Sequence, residues 1–398
     1  MARKSSPHPA TTMPFSARAE DESLPTLTTY LLSLISIKRS NLCVSADVHT
    51  TQELLAVAEE VGDYICVLKT HADLVDDFSA KTIRGLREIS ERKQFLLFED
   101  RKFGDIGNTV QAQYTRGPLQ IATWAHLTNA HLLPGPSLIP ALQIAAEEAL
   151  ISLNHSMETT ISTGTPRTSL EDGSRDPIHF DITTTTSMST EEAVAEPSSA
   201  SSTNTPSGPP TPQPIFEHTR RRGREASATT TISQTFEPTS PRHPASLIHT
   251  LSMGEGEPTV KAKALEELGP PPHARGLLLL AQMSSEGNLA TPQYTQACVD
   301  AARSYKDFVV GFIAQESLNQ AKDDAFLSFA PGINLAPEGG KGDGKGQKWR
   351  GPSEVIGRDG IDIVIVGRGI LGAEDRAKEA RRYRDASWEA YETRIGRR

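Results

Sequence analysis

Asp100, Lys102 and Asp105 follow one another in Phe95-Leu-Leu-Phe-Glu-Asp-Arg-Lys-Phe-Gly-Asp-Ile-Gly-Asn-Thr109, at the end of an apolar run. The run itself, Phe95–Phe98, reads as a buried strand. Opposite charges alternating at the end of such a strand are expensive, because each one left unpaired carries a large desolvation cost. Held between carboxylates, a lysine stays ionised and can protonate a carbanion formed beside it. An isolated Asp-x-Lys-x-x-Asp reads more plainly as a solvated loop with a salt bridge. The elements around it decide between these readings.

Seven further runs have the length and composition of buried parallel strands: Leu42–Ala46, Tyr64–Leu68, Ile121–Leu127, Gly276–Ala281, Phe308–Ile313, Phe326–Ala330 and Ile361–Val366. Helical patterns lie between most of them, over Thr51–Val61, Ser79–Lys93, Thr109–Gly117, Ser137–Leu150, Thr291–Ser304 and Ala373–Thr393. Eight strands with intervening helices predict a (β/α)8 barrel, with Leu24–Ile37 as an extra N-terminal helix closing its base. A doubly wound open sheet is the alternative. Barrel enzymes place their chemistry at the C-terminal ends of the strands. Here those ends read Asp47, Lys69, Asp100 with Lys102 and Asp105, Asn129, Ser284, Gln315, Pro331 and Arg368. Nearly every strand finishes on a polar or otherwise unusual residue. Adjacent strands thus bring Asp47, Lys69, Asp100 and Lys102 together, with Asp105 just beyond.

The last strand ends in Val366-Gly-Arg-Gly-Ile370, where glycines permit close backbone approach and Arg368 offers a bidentate fork for phosphate oxygens. The run Glu338-Gly-Gly-Lys-Gly-Asp-Gly-Lys-Gly-Gln347 is too glycine-rich for regular structure. It reads either as a plain surface loop or as a mobile lid that brings Gln347 to a ligand. No Walker loop or dinucleotide fingerprint is present, and no His/Cys cluster has metal-ligand spacing, so neither cofactor nor metal is expected.

Phe98-Glu-Asp-Arg-Lys-Phe-Gly-Asp-Ile-Gly-Asn-Thr-Val110 resembles the signature of the orotidine 5'-phosphate decarboxylases of fungal type. The resemblance continues through Cys43-Val-Ser-Ala-Asp-Val48, Leu68-Lys-Thr-His71, Thr128-Asn-Ala-His131, Gly311-Phe-Ile-Ala-Gln315 and Ala330-Pro-Gly332. It implies a cofactor-free decarboxylation of orotidine 5'-phosphate to uridine 5'-phosphate (UMP). Asp100 would then sit beside the substrate carboxylate, and Lys102 would protonate the ring carbon as carbon dioxide leaves. Asp47 and Lys69 would hold ribose hydroxyls. Asp105 and Thr109 would enter the site of a partner subunit, which implies a homodimer. Ser284 would bond the pyrimidine, Pro331 would pack near it, and Gln347, Arg368 and the amide of Gly367 would bind phosphate. Where the family often has tyrosine stands Trp349, whose indole N–H donates one hydrogen bond without a phenol's geometry. Aromatic packing of the lid is the other role open to it.

The 398 residues carry a net charge of -9, which argues against general nucleic-acid binding. No run approaches the length of a membrane span, no apolar stretch follows the N-terminal charges, and three scattered cysteines fit a cytoplasmic location. A hydrophobic fraction of 37% and a mean hydropathy of -0.39 suggest a packed domain diluted by polar chain. Accordingly, 1–23 is expected to be a disordered tail and 154–273, rich in Ser, Thr and Pro, a disordered insertion between the fourth helix and the fifth strand. The barrel halves are then 24–153 and 274–398. Within the insertion, Arg220-Arg-Arg-Gly-Arg224 reads as a solvated charge run or, less plainly, a docking patch. Two other functions share these features: a sugar-phosphate decarboxylase or epimerase on the same barrel, and a non-catalytic barrel scaffold with an interaction insertion.

Overall fold

Eight parallel strands close into a barrel in chain order: β1 (Leu42–Ala46), β2 (Val67–Thr70), β3 (Leu96–Phe103), β4 (Leu127–Ala130), β5 (Gly276–Leu280), β6 (Val309–Ile313), β7 (Leu327–Pro331) and β8 (Ile363–Val366). Pairing of β1 with β8 completes the ring, so the open doubly wound sheet is ruled out. The computed structural model describes residues 7–154, 258–285, 287–335 and 349–397, which belong to the unit formed by Met1–Asn154 and Pro238–Arg398. Apart from Asp100, Arg101, Lys102 and Pro331 at the mouth, the strand residues are buried on both faces, as expected for strands lined inside by one another and outside by helices. Phe98 of β3 and Phe329 of β7 meet edge-on, ring centroids 6.2 Å apart, and help fill the interior. Glycine is required in β6, where a Cβ on Gly311 would stand 1.9 Å from the Leu327 carbonyl oxygen.

The helices are α1 (Pro9–Thr12), α2 (Phe15–Arg18), α3 (Thr26–Lys38), α4 (Thr51–Val61), α5 (Ala80–Lys93), α6 (Gly107–Thr115), α7 (Leu138–Asn154), α8 (Pro258–Leu268), α9 (Pro292–Ser304), α10 (Arg368–Leu371) and α11 (Arg376–Arg394). Thr50 and Thr291 cap α4 and α9 through their side chains, which explains why those starts were legible. Rich in Leu and Ile, α3 is buried along nearly its whole length. The Leu27 side chain of α3 comes close to Gly276 at the start of β5, so α3 covers the barrel's base. Buried Lys38 donates from Nζ to the carbonyls of Gly62, Lys93 and Gln94, tying the ends of α4 and α5 to it.

Parts of both segments expected to be disordered are folded among the described residues. Residues 7–19, placed in a tail spanning 1–23, pack onto the barrel: Phe15 stacks on Tyr391 with centroids 4.3 Å apart, and its N–H donates to the Tyr391 hydroxyl. Arg18 donates to Asp362 Oδ1 at 2.6 Å, and Arg394 stands 3.6 Å from the same oxygen. One aromatic ring and one buried ion pair anchor a segment whose average composition looks polar. Likewise, α8 occupies residues expected within the insertion 154–273. Its Ala264 and Leu268 are buried, and the carbonyls of Leu265 and Gly269 accept from Gln94 Nε2. The Gly269 carbonyl also accepts from the Tyr30 hydroxyl. Residues 155–257 of that segment lie outside the described residues, the Arg220–Arg224 run among them.

Strands two and four begin later than their apolar runs. Gly62–Tyr64 and Ile121–Thr123 are single 3-10 turns, and partly buried Tyr64 and buried Ile121 and Ala122 pack against the core instead of joining the ladder. Between β6 and β7 the connection has no helix among the described residues.

Candidate active site

Alternation along the strands builds the centre of the mouth. Residues two apart share a face, so Ser45 with Asp47, Lys69 with His71, and Asp100 with Lys102 project alike from neighbouring ends. Asp100 stands at the middle. Its Oδ1 accepts from Lys102 Nζ at 2.6 Å and Asn129 Nδ2 at 2.8 Å. Its Oδ2 lies 2.9 Å from Lys69 Nζ and 3.2 Å from His71 Nε2. Lys69 also approaches Asp47 Oδ1 at 3.6 Å, and Ser45 Oγ donates to that same oxygen at 2.8 Å. The charges therefore alternate along a chain: Lys102, Asp100, Lys69, Asp47. Lys102 adopts a left-handed backbone, φ 53°, unusual for a residue with a side chain.

Burial opposes ionisation of Asp100, yet the His71 hydrogen bond and the Lys69 and Lys102 charges hold its carboxyl far below the usual range. Burial likewise works against the Lys69 ammonium. The carboxylates of Asp100 and Asp47 outweigh it and keep its pKa above the ordinary lysine value. Lys69 and Asp100 thus stay charged throughout the neutral range. Lys102 is the accessible ammonium, its side chain 38% exposed against 6% for Lys69, while Asp100 is 12% and Asp47 42% exposed. A ligand entering the mouth meets a fixed anion with an exposed ammonium beside it.

At the junction of β8 and β1, a Cβ on Gly367 would lie 3.3 Å from Ser45 Cβ and 3.6 Å from Asp47 Oδ2, so a side chain there would crowd the acidic end of the array. Arg368 follows and is exposed, its guanidinium carbon 5.0 Å from the centre of the Trp349 ring. Pro331 ends β7 and pairs with Ile365, while Ser284 is half-buried four residues past β5. No hydrogen bond or ion pair joins Ser284 or Pro331 to the Asp100 cluster among the described residues. Asp105 also stands apart: its carboxylate accepts from the Ile106 N–H at 2.9 Å and faces Gln113 Nε2 at 3.5 Å. Thr109 is exposed near the start of α6, and Gln347 lies outside the described residues. Among the described residues no group of three or more His, Cys, Asp or Glu side chains has the arrangement of a metal site.

The family model "Orotidine 5'-phosphate decarboxylase / HUMPS family" matches residues 40–204 and 242–383. The chain belongs to this family. Proteins named orotidine 5'-phosphate decarboxylase from Hypocrea jecorina and Hypocrea atroviridis are 41% and 42% identical to it, each match covering 98% of this chain and 99% of the relative. A third, from Aureobasidium pullulans, is 36% identical over 97% of this chain and 95% of its own length.

Against the decarboxylase family's expected site, the structure gathers Asp47, Lys69, Asp100 and Lys102 into one array and leaves Asp105 outside it within a single chain. Sequence reasoning gave no role to His71, Ser45 or Glu99. The first two were within reach of the two-residue alternation. Glu99, pointing away from the mouth, becomes meaningful only once the loop after β2 is seen to fold over it: Thr70 Oγ1 and the Ala72 N–H both donate to its carboxylate. Asn129 was read as a polar strand end, with nothing to say which partner it would meet.

Proposed function

We propose that this chain decarboxylates orotidine 5'-phosphate to UMP and carbon dioxide, the last step of de novo pyrimidine synthesis, with its own side chains and no cofactor. What carries the reading is Lys102 Nζ lying 2.6 Å from Asp100 Oδ1, in a chain that belongs to this family along most of its length. With substrate bound, its carboxylate lies beside Asp100. The bond from the ring carbon to the carboxylate breaks, carbon dioxide leaves, and the electron pair stays on the ring carbon. Lys102 then gives that carbon a proton and recovers one from solvent. Lys69 remains an ammonium and screens Asp100 from Asp47 while both oxygens of Asp100 are occupied. Asp47 and Lys69 take the ribose hydroxyls. Ser284 and Pro331 flank the pyrimidine, and the Gly367 amide, Arg368 and Gln347 bind phosphate. Binding energy gathered at that remote phosphate can be used to hold the substrate carboxylate against a like charge.

Asp105 and Thr109 serve the site of a second copy, making the working enzyme a homodimer in the cytoplasm. Support comes from Asp105, which leaves its own chain's cluster, and from exposed Ile106, Gly107, Asn108 and Thr109 beside it. The stacking of Trp349 on Arg368 favours a packing role for the indole, holding the guanidinium in place. The test is the absorbance loss of orotidine 5'-phosphate with wild type and Lys102→Ala, each with and without EDTA. Turnover by wild type alone, unaffected by EDTA, is expected. Metal-dependent turnover of a pentulose or hexulose phosphate, with no action on orotidine 5'-phosphate, would select the sugar-phosphate alternative.

A further inference from the structure

We infer that Asn129 is a positioning residue for the proton donor: its carboxamide clips the left-handed backbone of Lys102 to the carboxylate of Asp100. This rests on the decarboxylase reading above and extends it to a residue that reading gives no part in binding substrate. The register between β3 and β4 sets up the need. Glu99 pairs with Thr128 and Phe103 with Ala130, so Asp100, Arg101 and Lys102 stand opposite the single residue Asn129. A bulge of that size interrupts the ladder and leaves backbone groups without strand partners. Asn129 Oδ1 accepts the Lys102 N–H at 2.7 Å, replacing the missing carbonyl.

From the same side chain, Nδ2 donates at 2.8 Å to Asp100 Oδ1, which also takes Lys102 Nζ at 2.6 Å. Both the main chain and the ammonium of Lys102 are thereby referred to one pair of side chains. The orientation of the carboxamide is unambiguous, because a backbone N–H only donates and an ionised carboxylate only accepts. A side chain at this position must therefore offer an acceptor and a donor together. Asn129 is buried, at 1% exposure, so water is a poor substitute for either bond. Remove the carboxamide and the Lys102 N–H is orphaned at a φ of 53°, a conformation unfavourable to a residue with a side chain. The ammonium then loses its fixed distance to the reacting carbon, and proton delivery suffers more than ligand binding.

The experiment compares wild type, Asn129→Ala and Asn129→Asp in the orotidine 5'-phosphate absorbance assay, with UMP affinity measured by calorimetry and thermal midpoints recorded alongside. For Asn129→Ala, kcat should drop about 100-fold while UMP affinity stays within about threefold, as expected when a reacting group is misplaced in an intact site. Asn129→Asp tests the donor directly. Ionised, it would face the Asp100 carboxylate; protonated, it donates to Asp100 and still accepts from the Lys102 N–H. Its kcat relative to wild type should therefore rise about tenfold or more from about pH 8 to about pH 5. Three results overturn the inference beside an active wild type: kcat of Asn129→Ala within about threefold of normal, an equal loss of UMP affinity and kcat, or a flat Asn129→Asp to wild-type ratio across pH. An inactive wild type overturns the assigned activity, and the inference with it.

Discussion

Replacing Glu99 by glutamine should remove a pH dependence of stability whose size follows from the geometry. Glu99 is fully buried and accepts from Thr70 Oγ1 at 2.6 Å and from the Ala72 N–H at 3.0 and 3.1 Å. Burial raises its pKa from 4.5 to about 7, and those hydrogen bonds keep it from rising further. Folded protein thus holds this proton up to about pH 7, while unfolded chain releases it near pH 4.5. Between those values the folded state binds more protons, so stability falls as pH rises. The advantage is complete below the unfolded pKa and lost as pH passes the folded one. A displacement of that size corresponds to about 3 kcal/mol, of which about 2 kcal/mol falls between about pH 5 and about pH 8. Urea unfolding of wild type and Glu99→Gln across that range isolates the effect, because every other titrating group is common to both. The stability difference between the two proteins should shift by about 2 kcal/mol in favour of Glu99→Gln as pH rises. Parallel curves, with a difference constant to within about 0.5 kcal/mol, would refute the assignment of Glu99 as the titrating group.

Mixing inactive Asp105→Ala with inactive Lys102→Ala should restore about a quarter of wild-type activity after subunit exchange, since half the dimers would carry one intact site of two; no recovery despite proven exchange would sink the shared site. Arg18→Met leaves Asp362 with its buried charge and weaker partners, and should cost about 3 kcal/mol, read as a lowered urea midpoint with an unchanged slope. A midpoint equal to wild type would mean the N-terminal segment does not anchor there. Trp349→Ala should raise KM for orotidine 5'-phosphate about fivefold, with Trp349→Phe much closer to wild type, because a ring face suffices to support Arg368. A larger effect of Trp349→Phe than of Trp349→Ala would contradict stacking as its role.

Much of the barrel was legible because parallel strands buried on both faces must read as short continuous apolar runs, and β1, β5 and β6 match theirs to within a residue at each end. Where apolar residues pack against the core outside the ladder, as Ile121 and Ala122 do, the same signal misplaces a strand. The extent of β3 was hidden for the opposite reason. Its last residues are charged, and only pairing of Phe103 with Ala130 shows that the strand continues past Asp100. Segments α1, α2 and α8 escaped because each is held by a few anchors, among them Phe15, Arg18, Ala264 and Leu268, which window averages dilute. The charged array was accessible through alternation along three strands. The partners of Asn129 were not, since they depend on a bulge that no local pattern announces.

Lys102 also marks a conflict between folding and chemistry. With φ at 53° its backbone sits where a side chain costs about 1 kcal/mol and glycine costs nothing. As far as the backbone is concerned, selection for folding alone would favour Lys102→Gly, a change that deletes the ammonium. The lysine persists in a conformation unfavourable to it because the neighbouring elements, the β3 bulge and Asn129 above all, determine that conformation independently of its side chain. Its strain is thus a trade-off confined to one residue, and stabilising variants sought by consensus or design should leave position 102 untouched.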